Sequence, residues 1–257
     1  MSDSQRSALV TGATSGIGRA TAQKLVSDGW TVYAAGRRQT HLNELETACQ
    51  QLPGKLIPLV TDVTNDASID AAYTTINAAG GIDTILNIAG GALGAESVAE
   101  GKLDDWRWMI ETNVLGSLRV IQKFLPMLRA HGAGTILNLT STAGVVAYEG
   151  GGGYNAAKFG QHALTGALRL EEAEQNIRVI EVLPGLVKTE EFAAKRMRGD
   201  TSEAAKVYAG VAKPLTADDV ADVCSYAVGL PHHINLDEIV MRPVKQAAQH
   251  KLIRDAE

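Results

Sequence analysis

Residues 139–158 hold three side chains whose types suit proton chemistry: Ser141, Tyr154 and Lys158. On a helix running on from Asn155, Tyr154 and Lys158 project from one face, one turn apart. An ammonium beside a phenol favours the phenolate and lowers the phenol's pKa from its usual ~10. Such a phenol serves as general acid and base near neutral pH. Ser141 follows an apolar run, Thr135–Leu139, that reads as a buried strand. From there its hydroxyl reaches the oxygen atom that Tyr154 would protonate. Tyr and Lys at this spacing also occur on ordinary amphipathic helices, so the pair needs structural context before it becomes a site.

The elements around it supply that context. Ser7–Thr11 is a short apolar strand, followed by the turn Thr11-Gly12-Ala13-Thr14-Ser15-Gly16-Ile17-Gly18 and a helical pattern over 19–28 that stops at Gly29. Strand, glycine turn and helix together read as a dinucleotide-binding turn. The glycines let the backbone approach a pyrophosphate, and the helix N-terminus offers N–H groups and a positive dipole end. The spacing is Gly-x-x-x-Gly-x-Gly rather than Gly-x-Gly-x-x-Gly. A second strand, 31–35, runs into Gly36-Arg37-Arg38, with no acidic residue between Trp30 and Asn43. Arginines at this position accommodate a ribose 2′-phosphate, which selects NADP(H) over NAD(H). The alternative is a solvated basic pair capping the next helix.

A helix over 40–51 and the strand Lys55–Val60 come next, and then Asp62, which either holds an adenine amino group or caps the helix at 65–79. A fourth strand, 82–88, ends in small residues that let a cofactor pass close to the backbone. Residues 103–129 read as one long helix with Asn113 inside it, as a satisfied buried amide or as a water ligand near the lysine. The Tyr154 helix continues over 159–173, and a sixth strand, 177–183, leads into Pro184-Gly185, which lies over the nicotinamide end. Residues 190–213 are polar, charged and irregular, as substrate lids are, and carry Arg196 and Arg198 as partners for an acidic substrate or as solvated surface. A capping box at Thr216–Asp219 opens a helix over 217–228, and 238–242 is a seventh strand. The tail, 244–257, has no apolar core and is expected to dock on another subunit.

Alternation of strand and helix throughout predicts a single Rossmann-like α/β domain, a doubly wound parallel seven-stranded sheet with helices on both faces. At 257 residues and 45% hydrophobic, the chain is long enough to bury one sizeable core. A net charge of -5 without a basic run excludes nucleic acid as the expected partner. No apolar stretch reaches membrane-spanning length, and residues 1–7 lack the apolar core of a signal peptide. Cys49 and Cys224 have no metal-like spacing, so no metal is expected, and a reducing cytoplasm fits.

The joint pattern resembles the short-chain dehydrogenase/reductase family. The residues carrying it are Thr11-Gly12-x-x-x-Gly16-Ile17-Gly18, Asn87-x-Ala89-Gly90, Asn113, Ser141, Tyr154-x-x-x-Lys158 and Pro184-Gly185, with Ile88 departing from a usual asparagine. Residues 91–94, 184–200 and 239–244 resemble one branch, the NADP-dependent dehydrogenases of serine, allo-threonine and other 3-hydroxy acids. The resemblance implies that Tyr154 is the acid/base, that Lys158 lowers its pKa and binds the nicotinamide ribose, that Ser141 polarises the carbonyl, and that Asn113 holds a relay water. It implies NADP contacts from Gly12, Ser15, Gly16, Ile17, Gly18, Arg37, Arg38, Asp62, Val63, Asn87, Ala89, Tyr154, Lys158, Pro184, Gly185, Val187 and Thr189. It also implies a homotetramer or homodimer. The expected activity interconverts a secondary alcohol and a carbonyl. The substrate is a 3-hydroxy acid whose carboxylate meets Arg196, or a neutral ketone. A dinucleotide-binding regulator without turnover would have no need of Asn113, Ser141, Tyr154 and Lys158 together.

Overall fold

The structure is a computed structural model and describes residues 6–255. The expectation for the N-terminus therefore lies largely outside the described residues, as do the last two residues of the tail. Seven strands form one sheet: β1 (Ser7–Thr11), β2 (Thr31–Gly36), β3 (Lys55–Val60), β4 (Thr84–Asn87), β5 (Thr135–Leu139), β6 (Arg178–Pro184) and β7 (Glu238–Met241). Their order is β3-β2-β1-β4-β5-β6-β7, and every neighbouring pair is parallel. The expected fold class holds.

Alternation along the strands divides the core. Val10, Val32, Leu137 and Val182 face one way, beneath α1 (Gly16–Ser27), α2 (Gln39–Cys49) and α9 (Ala217–Gly229), which contribute Leu25, Leu42, Leu45 and Val220. Leu9, Tyr33, Ile85, Ile136 and Val179 face the other way, beneath α3 (Asp66–Ala78), α5 (Gly116–His131) and α6 (Gly152–Glu172), which contribute Ile76, Phe124 and Leu168. Cys49 and Cys224 are buried thiols within these layers. The strand order reverses at β1, which lies between β2 and β4, and ligands of such sheets bind at that switch point beyond the strands' C-terminal ends.

Two expectations need correction, and the tail makes contacts within its own chain that the sequence does not announce. The helix expected over 103–129 is interrupted: α4 (Leu103–Ile110) runs into a π turn, Glu111–Leu115, before α5. A π turn lets one extra residue bulge from the helix, and here it carries Asn113. The stretch 190–213, expected as a lid, is not irregular. It contains α7 (Phe192–Arg196) and α8 (Thr201–Tyr208), the latter capped by Asp200, whose carboxylate accepts from the Ser202 and Glu203 N–H groups. The tail docks on its own chain. It forms a hairpin of β8 (Gln246–Ala248) and β9 (Lys251–Leu252). Gln246 Oε1 accepts from Leu186 N at 2.8 Å, Gln249 Oε1 accepts from the Thr142 hydroxyl at 2.7 Å, and Asp255 N donates to Gly210 O at 2.8 Å. Gln246 and Gln249 thereby give a backbone N–H and a hydroxyl acceptors that apolar side chains could not supply.

Candidate active site

The glycine turn is shaped by contacts that only glycine allows. Gly12 has φ +72°, and a Cβ there would lie 2.9 Å from the Ala89 backbone. At Gly18 a Cβ would lie 2.3 Å from Gly12 O. The Thr11 hydroxyl accepts from Ile88 N and Ala89 N, both at 3.0 Å, and so ties the ends of β1 and β4 together. At the N-cap of α1, Ser15 makes no side-chain cap bond, so the first N–H groups of the helix await an acceptor. Thr189 lies 3.5 Å from where a Gly16 Cβ would stand, which places the segment after β6 over the turn. Ile17 packs on the core layer of α1. Asn87 donates to Asn138 Oδ1 at 3.0 Å, while its own Oδ1 is buried with no partner among the described residues. A helix N-terminus without a side-chain cap and an orphaned buried oxygen fit a bound dinucleotide.

At the end of β2 the two arginines part company. Arg37 is exposed. Arg38 donates to Glu191 from both terminal nitrogens and to the Thr14 hydroxyl at 3.1 Å, and it makes no cap bond to α2. Asp62 is not the cap of α3. Asn65 is, accepting from Ser68 N. Asp62 Oδ1 instead accepts from the Thr64 N–H and hydroxyl. Burial pushes its carboxyl upward, but those two bonds and Arg37 outweigh burial and hold it below its ordinary value. Val63 packs where a side chain on Gly116 would stand.

The Ala89-Gly90 segment joins this turn to the proton-chemistry group. A Cβ on Gly90 would stand 2.4 Å from Asn113 Oδ1 and 3.7 Å from Lys158 Nζ. Asn113 is fully buried, and its amide bonds protein groups: Oδ1 accepts from Gly91 N at 3.1 Å, and Nδ2 donates to Gly91 O at 3.0 Å and to Met109 O at 2.7 Å. Helix α6 starts at Gly152, so Tyr154 and Lys158 share its first turns. Ser141 donates to Pro184 O at 3.3 Å and accepts from Ala143 N at 3.1 Å. Lys158 Nζ donates to Leu139 O at 3.1 Å and to Gln161 Oε1 at 2.7 Å, and lies 5.8 Å from the centre of the Tyr154 ring.

The electrostatics reverse one expectation. Burial pushes the Tyr154 phenol above its ordinary value, and Tyr148 adds to the rise; the Ser141 hydroxyl and Arg196 only partly counter it. Lys158 is itself stripped of water, at 4% exposure. Its ammonium is pushed down to about 7, against the opposing pull of the Glu181 carboxylate.

Residues 190–213 line the other side. Phe192 packs edge-on to Tyr154, ring centres 5.9 Å apart. Lys195 Nζ lies over the Trp108 ring at 4.2 Å and is pushed below its ordinary pKa, first by burial and then by Arg37. Arg196 donates to Gly94 O at 3.2 Å, to the Tyr148 hydroxyl at 3.0 Å and to Gly150 O at 2.9 Å. Arg198 is not available to an acidic substrate, because Glu96 and Asp105 already neutralise it. A cavity lined by Leu93, Glu96, Trp106, Met109 and Gly150 opens beside Tyr154. Gly185 packs on Gln246 Oε1, and Val187 O accepts from the Tyr208 hydroxyl at 3.1 Å.

The sequence reading missed Gln161, Ser117, Glu181, Glu191 and Lys195. Gln161 was within its reach, being three residues beyond Lys158 on the same helical face. The others meet the site only through tertiary packing.

A dinucleotide turn at the switch point, joined by a short loop to a buried serine and lysine and a partly buried tyrosine, defines an α/β oxidoreductase. Residues 6–199 match the short chain dehydrogenase family, and the chain belongs to that family. It is 45% identical over 244 residues to an uncharacterized oxidoreductase of Mycobacterium tuberculosis, covering 95% of this chain and 93% of that one. It is 34% identical over 240 residues to the serine 3-dehydrogenase of Rhizobium radiobacter, covering 93% of this chain and 94% of the relative. A solved structure, the closed form of serine dehydrogenase complexed with NADP+, superposes with a TM-score of 0.89 at 33% identity, covering 97% of this chain and all of that one.

Proposed function

We propose that the chain interconverts a secondary alcohol and a carbonyl with NADP(H), on a 3-hydroxy acid such as serine, with Tyr154 exchanging the hydroxyl proton. The observation that carries this reading is the Ala89-Gly90 segment. It touches Gly12 of the dinucleotide turn on one side and approaches Lys158 and Asn113 on the other. The names of the relatives support the cofactor and the substrate class.

The turn from Gly12 to Gly18 would hold the pyrophosphate, Arg37 and Arg38 the 2′-phosphate, Asp62 and Val63 the adenine, and Asn87, Ala89, Tyr154, Lys158, Pro184, Gly185, Val187 and Thr189 the remainder. NADP(H), when bound, supplies or takes the hydride. Tyr154 gives its proton to the carbonyl oxygen in reduction and takes the alcohol proton in oxidation. Ser141 donates a hydrogen bond to the same oxygen. Because burial raises the phenol, the phenolate forms only with a cation beside it, and Lys158 is that cation while it stays protonated. A guanidinium has five N–H donors; Arg196 gives three bonds to protein and keeps donors for a substrate carboxylate.

Tyr154→Phe tests the mechanism. Turnover of serine or a related hydroxy acid with NADP should fall by about 10²–10⁴, with cofactor binding retained. Near-unchanged turnover rules the mechanism out. A second reading keeps the mechanism and changes the substrate to a neutral ketone. Met109, Trp106 and Phe192 pack in one apolar cluster with Tyr154, which favours it.

A further inference from the structure

Gln161 is fully buried, and both ends of its amide are bonded. Oε1 accepts from Lys158 Nζ at 2.7 Å, and Nε2 donates to Ser117 Oγ at 3.0 Å. The Ser117 hydroxyl in turn donates to Asn113 O, in the π turn, at 2.9 Å. An ammonium has three N–H donors. Leu139 O and Gln161 take two of them, which leaves one for the cleft. We propose that Gln161 is a positioning residue: it holds the Lys158 ammonium from behind, fixes which N–H faces Tyr154, and ties the lysine to the main chain of Asn113 through Ser117. This rests on the reading of Tyr154 and Lys158 given above.

The chain of bonds anchors the lysine. A carboxamide accepts and donates hydrogen bonds but, unlike an imidazole or a carboxylic acid, does not readily take up a proton and pass it on. Two facts give the acceptor weight. Lys158 is 4% exposed and Gln161 not at all, so a hydrogen bond lost between them is not readily replaced by solvent. Opposing charge is scarce as well. Among the described residues, the titratable groups facing Lys158 are Tyr154 on its own helix and Glu181 from β6. Glu181 is committed elsewhere, accepting from Thr140 at 2.6 Å and pairing with His162 Nδ1 at 2.9 Å. The end of β5, the π turn and the 88–91 loop offer Leu139 O, Asn113 and Gly90, which carry no charge.

The test reads the ammonium directly in the cofactor-free protein. Lysine labelled with ¹³C at Cε gives a signal that is absent from Lys158→Arg, and its titration midpoint reports Lys158. Gln161→Leu removes the acceptor and should lower the midpoint. Gln161→Glu places a carboxylate on the same atom and should raise it. Each shift should be at least about half a pH unit. In turnover, Gln161→Leu should lower kcat about tenfold with little change in KM. If Gln161→Leu fails to fold, the near-isosteric Gln161→Glu carries the test alone. A side chain that merely fills space would not move the midpoint in opposite directions. An unmoved midpoint, or a moved one with wild-type kcat, overturns the proposal. Full activity in Tyr154→Phe would instead overturn the underlying mechanism, so the two failures are distinguishable.

Discussion

Arg38 and Glu191 meet fork to fork across 153 residues of sequence: Nη1 donates to Oε1 at 2.7 Å and Nη2 to Oε2 at 3.0 Å. The pair fastens the end of β2 to the residue before α7. The hydrogen bond from Arg38 is the chief reason that the Glu191 carboxyl sits below its ordinary pKa. Both side chains are well exposed, so the pair contributes little to stability. Its consequence is occupancy: a guanidinium turned toward a carboxylate is withheld from a 2′-phosphate.

Glu191→Gln should therefore tighten NADPH binding, by roughly two- to fivefold for a pair this exposed, and leave NADH nearly unchanged. Arg37→Asp should act in the opposite sense and weaken NADPH far more than NADH. Fluorescence titration with both cofactors measures each. Equal effects on the two cofactors would remove the 2′-phosphate from the account of these residues.

The glycines of the turn are not equivalent. A Cβ on Gly18 meets Gly12 O at 2.3 Å, and one on Gly12 meets the Ala89 backbone at 2.9 Å, where nothing yields. One on Gly16 meets only the Thr189 side chain, at 3.5 Å, with the strain of φ +51°. Gly18→Ala and Gly12→Ala should each destabilise by about 1–3 kcal/mol, and Gly16→Ala by about 1 kcal/mol. Thermal melts should rank Gly16→Ala as the mildest. A Gly18→Ala protein that melts like wild type would mean that the turn is looser than drawn.

Much of this was legible in the sequence, for physical reasons. Strand–helix alternation and a glycine turn after Ser7–Thr11 are local signals, and a parallel sheet built from them has few alternatives. The Tyr154–Lys158 spacing is local too. Arg38–Glu191 and Gln161–Ser117 are not: each joins elements far apart in the chain, and nothing in the composition of either partner announces the other. The direction of the Tyr154 shift was misjudged for a related reason. Spacing places a cation beside a phenol, but only the packed structure shows how strongly burial acts on both.

That burial has a measurable signature. Lys158 gives up its proton near pH 7 in the folded chain and near its ordinary 10.5 when unfolded. Between those values the unfolded chain binds more protons, so this group makes stability rise with pH across the window. Below about pH 7 both states are protonated, and the burial penalty on the charged lysine is felt in full. The cofactor-free protein should therefore melt higher at pH 9 than at pH 7, and Lys158→Met should flatten that rise. A Lys158→Met protein with the same pH slope as wild type would place the titration elsewhere.

Arg196 separates the two substrate readings. Its three bonds hold the Gly94 and Gly150 segments and the Tyr148 ring to the lid, so Arg196→Ala loosens the wall of the cavity for any substrate. It also removes one of the influences that draw the Tyr154 phenol downward, a loss that all substrates share. Only a carboxylate loses a charge-assisted hydrogen bond in addition, worth about 1.5–3 kcal/mol, or roughly ten- to a hundredfold in kcat/KM. Measured side by side on serine and on a neutral ketone, Arg196→Ala should lower kcat/KM for serine by that much more than for the ketone. Losses of equal size would make Arg196 a brace for the lid and favour the neutral ketone as the substrate class.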